Sequence, residues 1–446
     1  MNNQGKILVI GGGISGVTTA IEASEVGRDV ILVEKTPTLG GRVSGFHQYF
    51  PKLCPPTCGL EINYKRLRAN PHVQVHTNSE VLSVTGDAGK FKVKVRKNPT
   101  FVNEKCVACD HCTEVCPSER SNDFNSGMDK TKAIFLPNKM AYPPRYVIDR
   151  PACEKGCSKC IDACKYGAID LEMQVHEFEI EVSSVVVATG WKPYDAKNLT
   201  NLGFSSVPNV INNIMMERIS SVSGPTKGQI LRPSDQKPVE TIAFVQCAGS
   251  RDENHLPYCS SICCLGSLKH TKYVLEQNPD AKIYIFYIDI RTPGKYEDFV
   301  AKVQAEKNVR MIKGKVAKIS AGKNDNVLVE AEDIHNLTKV HLEVDMIVLA
   351  TGMESSLRGQ EKIAGIELDE YGFVPAESQK IGISTNYDIE KNDVDYISEY
   401  WKEHEFEIDF KKCDYIIRSC YIADDSVDLD REVKFWNNLI KKYGCY

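Results

Sequence analysis

Short apolar runs that alternate with helical stretches predict an α/β fold with parallel strands. Residues 6–10 form one apolar run, a helical stretch covers residues 17–26, and a second apolar run covers residues 29–33. Short continuous apolar runs bounded by turn residues are typical of strands buried in a parallel sheet. A second strand–turn–helix–strand unit follows, with apolar runs at residues 241–245 and 283–288. The pattern therefore predicts two Rossmann-like dinucleotide-binding units.

The first unit carries a glycine fingerprint between its strand and its helix. Gly11, Gly13 and Gly16 satisfy G-x-G-x-x-G, which permits a tight turn, close approach of a pyrophosphate and close helix packing. Glu34 ends the second strand about 20 residues on, where an acidic side chain accepts both ribose hydroxyls. The fingerprint alone does not separate FAD from NAD. The residues expected to contact the nucleotide here are Gly11, Gly13, Ser15, Gly16, Glu34 and Lys35.

Two further features favour FAD. Residues 39–42 read Leu-Gly-Gly-Arg, as in flavoproteins with two dinucleotide-binding domains, which adds Gly41 and Arg42 to the expected site. Arg42 is either close to the pyrophosphate or a solvated loop charge. The apolar runs 185–187 and 346–349 end in Ala-Thr-Gly, and such endings bring backbone close to a flavin and mark returns to the first domain. The residues expected to contact FAD from these endings are Ala188, Thr189, Gly190 and Gly352.

Cysteines follow the second unit's first strand where a nicotinamide enzyme would place glycines. Cys247 stands in the turn, and Cys259, Cys263 and Cys264 follow it closely. Four thiols at one strand end suit an iron–sulfur cluster better than NAD(P)H. The alternative is a set of buried, inert thiols, since free cysteine is among the most buried residue types.

Two further cysteine groups lie between the units. Cys106, Cys109, Cys112 and Cys116, followed by proline, have the spacing of bacterial ferredoxins. Cys153, Cys157, Cys160 and Cys164 repeat this spacing with one extra residue between the first two cysteines, which Gly156 is suited to absorb.

In two-cluster ferredoxins the fourth cysteine of each run ligates the other cluster. We therefore expect Cys164 to join Cys106, Cys109 and Cys112 at one [4Fe–4S] cluster, and Cys116 to join the remaining three at another. Zinc is the competing metal, but zinc ribbons usually pair two C-x-x-C knuckles.

A further cysteine pair, Cys54 and Cys58, brackets Pro55-Pro56-Thr57 after the first unit's opening strands. Prolines restrict this loop. The pair is either redox-active, or an additional ligand near the flavin, or two unconnected thiols in a rigid loop. Cys413, Cys420 and Cys445 are widely spaced and are expected to be plain thiols.

Composition narrows the class of protein. The 446 residues suffice for two or three domains, and a net charge of −5 carries no nucleic-acid footprint. The chain has seventeen cysteines, and its first residues do not fit a signal peptide. Together these features indicate metal ligands rather than disulfides. No apolar run approaches the roughly 18 residues of a membrane helix. We therefore expect a cytoplasmic protein that reaches a membrane only through partner subunits.

With these motifs the chain resembles the A subunit of heterodisulfide reductase, in which the last cysteine group binds an unusual [4Fe–4S] cluster near the flavin. It more closely resembles the A subunit of the quinone-interacting membrane-bound oxidoreductase of sulfate reducers, over roughly residues 5–378. The segments that carry this resemblance are residues 49–61, 141–146, 188–195, 244–255 and 288–294. The resemblance implies a fold of the FAD-dependent pyridine nucleotide-disulfide reductase type with a ferredoxin-like insert.

These motifs divide the chain into six parts. They are the FAD-binding domain (1–100), a two-cluster ferredoxin-like insert (101–170), the second part of the FAD-binding domain (171–235), the second Rossmann-like domain (236–345), a return to the FAD domain (346–384) and an acidic, aromatic tail (385–446). The chain departs from the quinone-complex family by keeping all eight ferredoxin cysteines. It also departs where the closing strand, begun at residues 380–384, turns into the tail.

The resemblance implies an electron carrier between the quinone pool and adenylylsulfate reductase, whose partners are a sister flavoprotein and a membrane cytochrome subunit. The first alternative is the A subunit of a soluble heterodisulfide reductase complex, with or without electron bifurcation. A stand-alone NAD(P)H-dependent flavoenzyme and a non-redox scaffold are the others. The chemistry belongs to the cofactors, so no catalytic side chain is expected.

Overall fold

The computed structural model describes residues 5–50, 52–292, 296–358 and 366–374. The helices within these ranges are α1 (Ile14–Glu25), α2 (Thr57–Ala69), α3 (His111–Glu114), α4 (Lys159–Ala163), α5 (Asn213–Ser220), α6 (Cys263–Gln277) and α7 (Glu297–Gln304). Short 3-10 turns cover Gly41–Gly45, Asp123–Asn125, Arg150–Ala152, Ala196–Asn198, Thr200–Leu202 and Lys323–Asp325.

The strands in these ranges are mostly short. They are β1 (Ile7–Ile10), β2 (Val30–Val33), β3 (Val73–His76), β4 (Ser79–Thr85), β5 (Phe91–Lys97), β6 (Glu119–Ser121), β7 (Lys130–Lys132), β8 (Ile134–Phe135), β9 (Val147–Ile148), β10 (His176–Val182), β11 (Ser184–Val187), β12 (Trp191–Pro193), β13 (Val210–Asn212), β14 (Thr241–Ala248), β15 (Lys282–Tyr287), β16 (Val309–Lys313), β17 (Val316–Ala321), β18 (Val327–Asp333), β19 (Thr338–Val344), β20 (Met346–Thr351) and β21 (Met353–Ser355).

The first Rossmann-like unit is a parallel sheet in which the described strands run in the order β11-β1-β2-β3. Its central strands are apolar and almost wholly buried, because helices cover one face and the antiparallel sheet β10-β5-β4 covers the other. Val17 and Ile21 of α1 pack on one side, and Val93 and Val95 of β5 pack on the other. This packing holds the carboxyl ends of β1 and β11 at one edge.

The second unit is a parallel sheet with the order β13-β20-β14-β15-β16. Strand β14 lies at its centre, and α6 returns the chain from β14 to β15 across one face. The antiparallel sheet β17-β18-β19 packs on the other face through Ile319, Val327 and Val329. The prediction of an α/β fold with two Rossmann-like units is therefore confirmed.

Between these units, residues 101–170 form a small segment with little regular structure. The helices α3 and α4 and the ladder of β8 with β9 surround a small core of Val102, Ile134, Tyr146 and Ile148. Six cysteines pack against this core: Cys106, Cys112, Cys116, Cys153, Cys160 and Cys164. This cysteine-rich segment is consistent with the expected iron–sulfur insert.

Two expected boundaries are wrong. Strand β20, at the expected return to the FAD domain, pairs with β13 and β14 in the second sheet and does not join the first. Strand β13 and helix α5, expected in the FAD domain, also belong with the second sheet. The Ala-Thr-Gly motif after an apolar run predicts the carboxyl end of a parallel strand. It does not predict which sheet the strand joins, because that depends on pairing with strands far away in sequence.

The closing strand expected at residues 380–384, the tail 385–446 and the three thiols Cys413, Cys420 and Cys445 lie outside the described residues. So do Pro293 and Gly294 of the segment 288–294. None of the described helices is long and apolar enough to cross a membrane.

Candidate functional site

The glycine turn after β1 has the geometry that a dinucleotide pyrophosphate requires. Gly11 has φ +108°, in the region that favours glycine, and its amide donates to the Val33 carbonyl at 2.8 Å. A Cβ on Gly16 would collide with the carbonyl of Gly11, whereas a Cβ on Gly13 would meet no atom within 4 Å. Gly16 therefore permits close helix packing, and Gly13 leaves the amino end of α1 open to an anion.

Glu34 hydrogen-bonds to the backbone of this turn. Its Oε2 accepts from the Gly12 amide at 2.5 Å, and its Oε1 accepts from the Thr36 amide at 2.7 Å. The side chain is only 8% exposed. The carboxylate therefore lies at the end of β2 where the sequence predicted it, directly against the backbone of the glycine turn.

Arg42 is held against a neighbouring segment of the chain. Its Nε donates to the Trp191 carbonyl at 2.6 Å, and its guanidinium lies 4.9 Å from the centre of the Trp191 ring. Burial lowers its pKa. Arg42 is thus fixed on the segment that directly follows Gly190, and it is not a freely solvated loop charge.

Three chain segments meet at this edge of the first sheet. The Gly40 amide donates to the Gly12 carbonyl at 2.8 Å, and Gly41 approaches Gly13 so closely that a Cβ would lie 2.8 Å from its Cα. The Ala188 amide donates to the Ile10 carbonyl at 2.8 Å. The structure therefore brings the glycine turn, the Gly40 turn and the first Ala-Thr-Gly ending together.

Three other residues that were expected to contact FAD lie away from the glycine turn or at its edge. Lys35 forms an exposed ion pair with Glu80 at 3.2 Å, and Ser15 is exposed in the first turn of α1. Gly352 is buried in the second unit, where a Cβ would lie 2.8 Å from the Ser260 hydroxyl. Its Ala-Thr-Gly ending therefore adjoins the cysteine group of β14 rather than the glycine turn.

In the insert, cysteines from both ferredoxin-type runs line one cavity. Cys106, Cys109 and Cys112 line it together with Cys164, which comes from the second run. Apolar side chains, among them Val102, line the same cavity. Burial raises the pKa of Cys112 to about 12, and the neighbouring thiols Cys106 and Cys109 add to the shift. Iron binding requires deprotonated thiols, so a metal would oppose this shift.

The other four cysteines of the insert also interact across the two runs. Burial raises the pKa of Cys153, Arg150 opposes the shift, and Cys116 and Cys157 add to it. Cys160 likewise lies near Cys153, Cys116 and Cys157. The exchange of Cys116 and Cys164 between the two sets is the arrangement of a two-cluster ferredoxin. Gly156, the residue beside the extra position, has φ +78°.

The third group lies at the carboxyl end of β14. Cys263 and Cys264 begin α6, and their thiols donate to the carbonyls of Thr351 and Asp289 at 3.6 Å and 3.7 Å. Burial raises the pKa of Cys247, and the Cys264 and Cys259 charges add to the shift. The four thiols therefore converge between the ends of β14 and β20 and the start of α6.

The backbone and polar groups around these thiols are unusual. Cys247, Arg251 and Ser261 all have φ between +55° and +58°, a conformation that costs non-glycine residues energy and clusters at functional sites. Within the described residues, the Gln246 amide and the Ser250 hydroxyl are buried without a hydrogen-bond partner. Buried polar groups normally have partners. These orphaned groups fit a site built to hold a polar, sulfide-containing cluster.

The described cysteine groups do not have the geometry of a site for a single metal ion. Among the described residues, no group of three or more His, Cys, Asp or Glu side chains is arranged to hold one metal ion. A zinc ion draws four ligands onto one atom. A [4Fe–4S] cluster bonds its four thiolates to separate irons, so its cysteines stand further apart.

Sequence reasoning missed the charged residues beside these sites. Arg251 forms an ion pair with Asp289 at 2.8 Å, and its positive charge lowers the pKa of Cys247 against the effect of burial. Glu217 of α5 binds the buried Lys269 and His270 of α6, both at 2.7 Å. The sequence of α6 contained a signal for these contacts. Lys269 and His270 directly follow the core residue Leu268, so they place charge on the helix face that must be buried.

Comparison with known proteins adds the family. The family of FAD dependent oxidoreductases matches residues 6–65. The A subunit of the Ferredoxin/F(420)H(2)-dependent CoB-CoM heterodisulfide reductase of Methanosarcina acetivorans is 38% identical over 352 residues, which are 78% of this chain and 44% of that protein. This chain is similar to heterodisulfide reductase A subunits over about four fifths of its length. It is an FAD-dependent oxidoreductase with an α/β fold built on two Rossmann-like units.

Two further relatives match a similar part of the chain. The A subunit of the H(2):CoB-CoM heterodisulfide,ferredoxin reductase of Methanothermobacter thermautotrophicus is 34% identical over 84% of this chain and 58% of its own length. An iron-sulfur A subunit of the CoB--CoM heterodisulfide reductase of Methanopyrus kandleri is 38% identical over 78% and 54%. The chain spans about half the length of the curated relatives it matches. The thioredoxin reductase of Lactococcus lactis, a solved structure, is 12% identical, covers 83% of this chain and 84% of its own, and has a TM-score of 0.43.

Proposed function

We propose that this flavoprotein is an electron-transfer subunit that holds FAD and three [4Fe–4S] clusters in a larger oxidoreductase complex. The observation that carries the proposal is the cavity of the insert, where Cys164 joins Cys106, Cys109 and Cys112. Cys164 is remote from the other three in sequence, and this combination is the one that a two-cluster ferredoxin uses.

For FAD, the proposed contacts are those of the glycine turn and its neighbours. The amino end of α1 at Gly13 receives the pyrophosphate, Glu34 accepts the ribose hydroxyls, and the Gly40 turn and the Ala188 ending form the adjoining walls. Bound FAD supplies the exchange of electron pairs for single electrons. The protein contributes binding, orientation and exclusion of water, and no side chain is required as an acid or base.

For the clusters, the proposed ligand sets are three. The first comprises Cys106, Cys109, Cys112 and Cys164. The second comprises Cys116, Cys153, Cys157 and Cys160. The third comprises Cys247, Cys259, Cys263 and Cys264, and the support for it is the convergence of these thiols beside orphaned polar groups and strained backbone.

The third set has a direct test. Replacing Cys263 and Cys264 by Ser removes about four irons per chain, the content of one cluster, and leaves FAD bound. Iron and flavin are measured on the same anaerobic sample, with the Cys413→Ser, Cys420→Ser double variant as a control for the loss of unrelated thiols. An iron content equal to the control would refute the third cluster.

Two alternative complexes are proposed as the setting of the protein. The relatives are named as subunits of heterodisulfide reductases, which supports a soluble complex of that type with further reductase subunits as partners. The resemblance of residues 49–61 and 244–255 to the quinone-linked family supports the second candidate. In that setting, electrons pass between a membrane quinone pool and adenylylsulfate reductase through a sister flavoprotein and a membrane cytochrome subunit, to which this chain is peripheral.

An anaerobic pull-down of the tagged chain from native membranes and from the soluble fraction separates the two settings. Recovery of a haem-bearing membrane protein with adenylylsulfate reductase supports the quinone-linked complex. Recovery of only soluble, cysteine-rich reductase subunits supports the heterodisulfide reductase setting and removes the link to sulfate respiration. Recovery of neither class, with flavin and iron intact, contradicts both.

A further inference from the structure

The two ligand sets proposed for the insert lie in different electrostatic surroundings. Arg150 begins a 3-10 turn that leads into Cys153 of the second set, and the Cys153 amide donates to the Arg150 carbonyl at 3.1 Å. The Arg150 guanidinium lies 5.9 Å from the centre of the Phe101 ring, which packs against the small core of the insert. The fold of the insert therefore holds this positive charge beside the second set.

The charge of Arg150 acts on a ligand of the second set. Burial raises the pKa of Cys153, and Arg150 opposes this shift, because a guanidinium stabilises negative charge on the sulfur. Arg150 is half-buried, whereas Lys155 and Lys159 of the same region are exposed. Water and salt screen an exposed charge more strongly than a partly buried one. Arg150 should therefore act on this set more strongly than either lysine.

The first set has a carboxylate where the second has a guanidinium. Asp110 stands between Cys109 and Cys112 in the chain, and its carboxylate accepts a hydrogen bond from the Tyr146 hydroxyl. Tyr146 is buried and lines the cavity that the four thiols of the first set share. The hydrogen bond therefore fixes the negative charge of Asp110 at the edge of the first set. Asp110 is itself exposed, so we expect a smaller effect from it than from Arg150.

Other polar groups near the first set do not reverse this difference. The Ala168 amide donates to the Cys164 sulfur at 3.3 Å, which also favours negative charge there. The amide contributes a dipole, however, whereas a guanidinium contributes a full charge, whose effect extends further. Lys105 and Lys165, which flank this set in the chain, are exposed like the lysines of the second set. The remaining difference is therefore the guanidinium at one set and the carboxylate at the other.

Reduction adds one electron, and therefore one negative charge, to a [4Fe–4S] cluster, so a nearby cation raises the potential and a nearby anion lowers it. We propose that Arg150 holds the second cluster of the insert at a higher potential than the first, so that an electron that enters the insert passes to the second cluster. In that step the first cluster loses one electron and the second gains it, and no proton or further reagent is involved. The inference rests on the proposed function, which supplies the two clusters.

An anaerobic redox titration of the full chain, followed by electron paramagnetic resonance, tests this order. Iron and flavin are measured on the same samples. Cys106→Ala removes the first cluster and Cys160→Ala removes the second, so the signal that each variant loses assigns one potential to one cluster. We expect the cluster that is lost in Cys160→Ala to have the higher potential in wild type and to be reduced first.

Substitution of the two charges then tests the cause. Arg150→Gln removes the positive charge and should lower the potential of the second cluster, while the first cluster changes less. Arg150→Lys keeps the charge and should retain most of the potential. Asp110→Asn keeps an oxygen that can accept from Tyr146 and should raise the potential of the first cluster. Lys159→Gln is the matched control, because it removes an exposed positive charge beside Cys160 and should shift the second potential less than Arg150→Gln does.

Three outcomes overturn the proposal. One is a higher potential for the cluster that is lost in Cys106→Ala. Another is a second-cluster potential in Arg150→Gln that equals the wild-type value while the iron content is complete. The third is an equal shift in Lys159→Gln, which would show that the position of Arg150 has no special effect. If Arg150→Gln does not fold, the order of the wild-type potentials and the shift in Asp110→Asn decide. A wild-type chain without the iron of the two insert clusters is instead a failure of the proposed function, and iron analysis detects it before any potential is measured.

Discussion

Arg251 is the charged residue best placed to act on the thiols at the end of β14. Its charge acts on Cys247 and lowers the pKa of that thiol. Its ion pair with Asp289 holds the guanidinium in place, and the Asp289 carbonyl accepts from the Cys264 thiol. A nearby positive charge favours the reduced state of a cluster, because reduction adds negative charge. Charge near an iron–sulfur centre is one of the factors that set its potential.

We expect Arg251→Gln to lower the midpoint potential of the proposed third cluster while its iron content stays at the wild-type level. Arg251→Lys keeps the charge and lowers the potential less. The measurement is an anaerobic redox titration followed by electron paramagnetic resonance. A potential in Arg251→Gln equal to that of wild type, with the cluster intact, would show that the guanidinium has no electrostatic effect there.

Glu217 is the buried acid that joins α5 to α6. Its carboxylate accepts from Lys269 and His270, and its Oε2 also accepts from the His47 amide at 2.9 Å. Removing one partner of a buried ion pair leaves the other charge uncompensated, which costs about 3–5 kcal/mol. We therefore expect Glu217→Gln to lower the apparent melting temperature at pH 7. Glu276→Gln, an exposed acid on α6, is the control and should leave the melting temperature unchanged.

The same residue predicts a pH dependence. Burial alone would raise the pKa of Glu217, but His270 and Lys269 outweigh it and hold the pKa at about 2. A carboxyl whose pKa is lowered in the fold contributes stability above its ordinary pKa of 4.5 and loses it as the pH falls toward 2. The contribution is about 3 kcal/mol. Melting curves from pH 5 to pH 3 should therefore fall more steeply for wild type than for Glu217→Gln, and parallel curves would contradict this assignment.

At the scale of elements, the sequence could predict β1, α1, β2, β14 and β15, because each is a compact apolar run or helical stretch bounded by turn residues. It could not place β20 in its sheet, since all six of its residues are buried and any parallel sheet interior would suit them. Strand β13 has only three residues, too few for a periodic pattern. Its assignment depends on pairing with β20, which lies more than a hundred residues away.

For the sites, as for the elements, the sequence predicted what is local in the chain and did not predict contacts between distant segments. Spacing within one segment predicted the cysteine groups and the glycine turn, because their chemistry is local in sequence. The pairs Arg42–Trp191, Arg251–Asp289 and Glu217–Lys269 join residues that are far apart in the chain. No periodicity records such contacts, so they emerge only from the folded arrangement.

The contact between β1 and α1 gives a prediction at this scale. A Cβ on Gly16 would collide with the Gly11 carbonyl, so Gly16→Ala must displace α1 from the turn that receives the pyrophosphate. We expect this variant to be purified with little or no flavin. Gly266→Ala is the control, because a Cβ there would meet no atom within 4 Å on helix α6. Flavin absorbance per chain is the measurement, and full occupancy in Gly16→Ala would contradict the proposed site.

At the scale of the whole molecule, the cysteines of the three proposed ligand sets divide between the insert and the second unit, while the glycine turn belongs to the first. The buried contacts of α5 link all three parts: Arg218 donates to Asn125 of the insert at 2.9 Å and to the Gly45 carbonyl of the first unit at 2.9 Å. Glu217 beside it binds α6, the helix that begins with Cys263 and Cys264. A rigid linkage of this kind suits electron transfer, because the positions of the centres must be held.

The exchange of cysteines within the insert decides whether it is assembled as a two-cluster ferredoxin. If Cys106 and Cys164 serve one cluster, replacing both by Ala removes about four irons per chain, no more than either substitution alone. The Cys106→Ala, Cys160→Ala double variant removes a ligand from each of the two clusters and therefore loses about eight irons per chain. If each sequence run instead held its own cluster, the Cys106–Cys164 double variant would also lose about eight. Iron analysis of the three single and two double variants, each compared with wild type, therefore distinguishes the two arrangements.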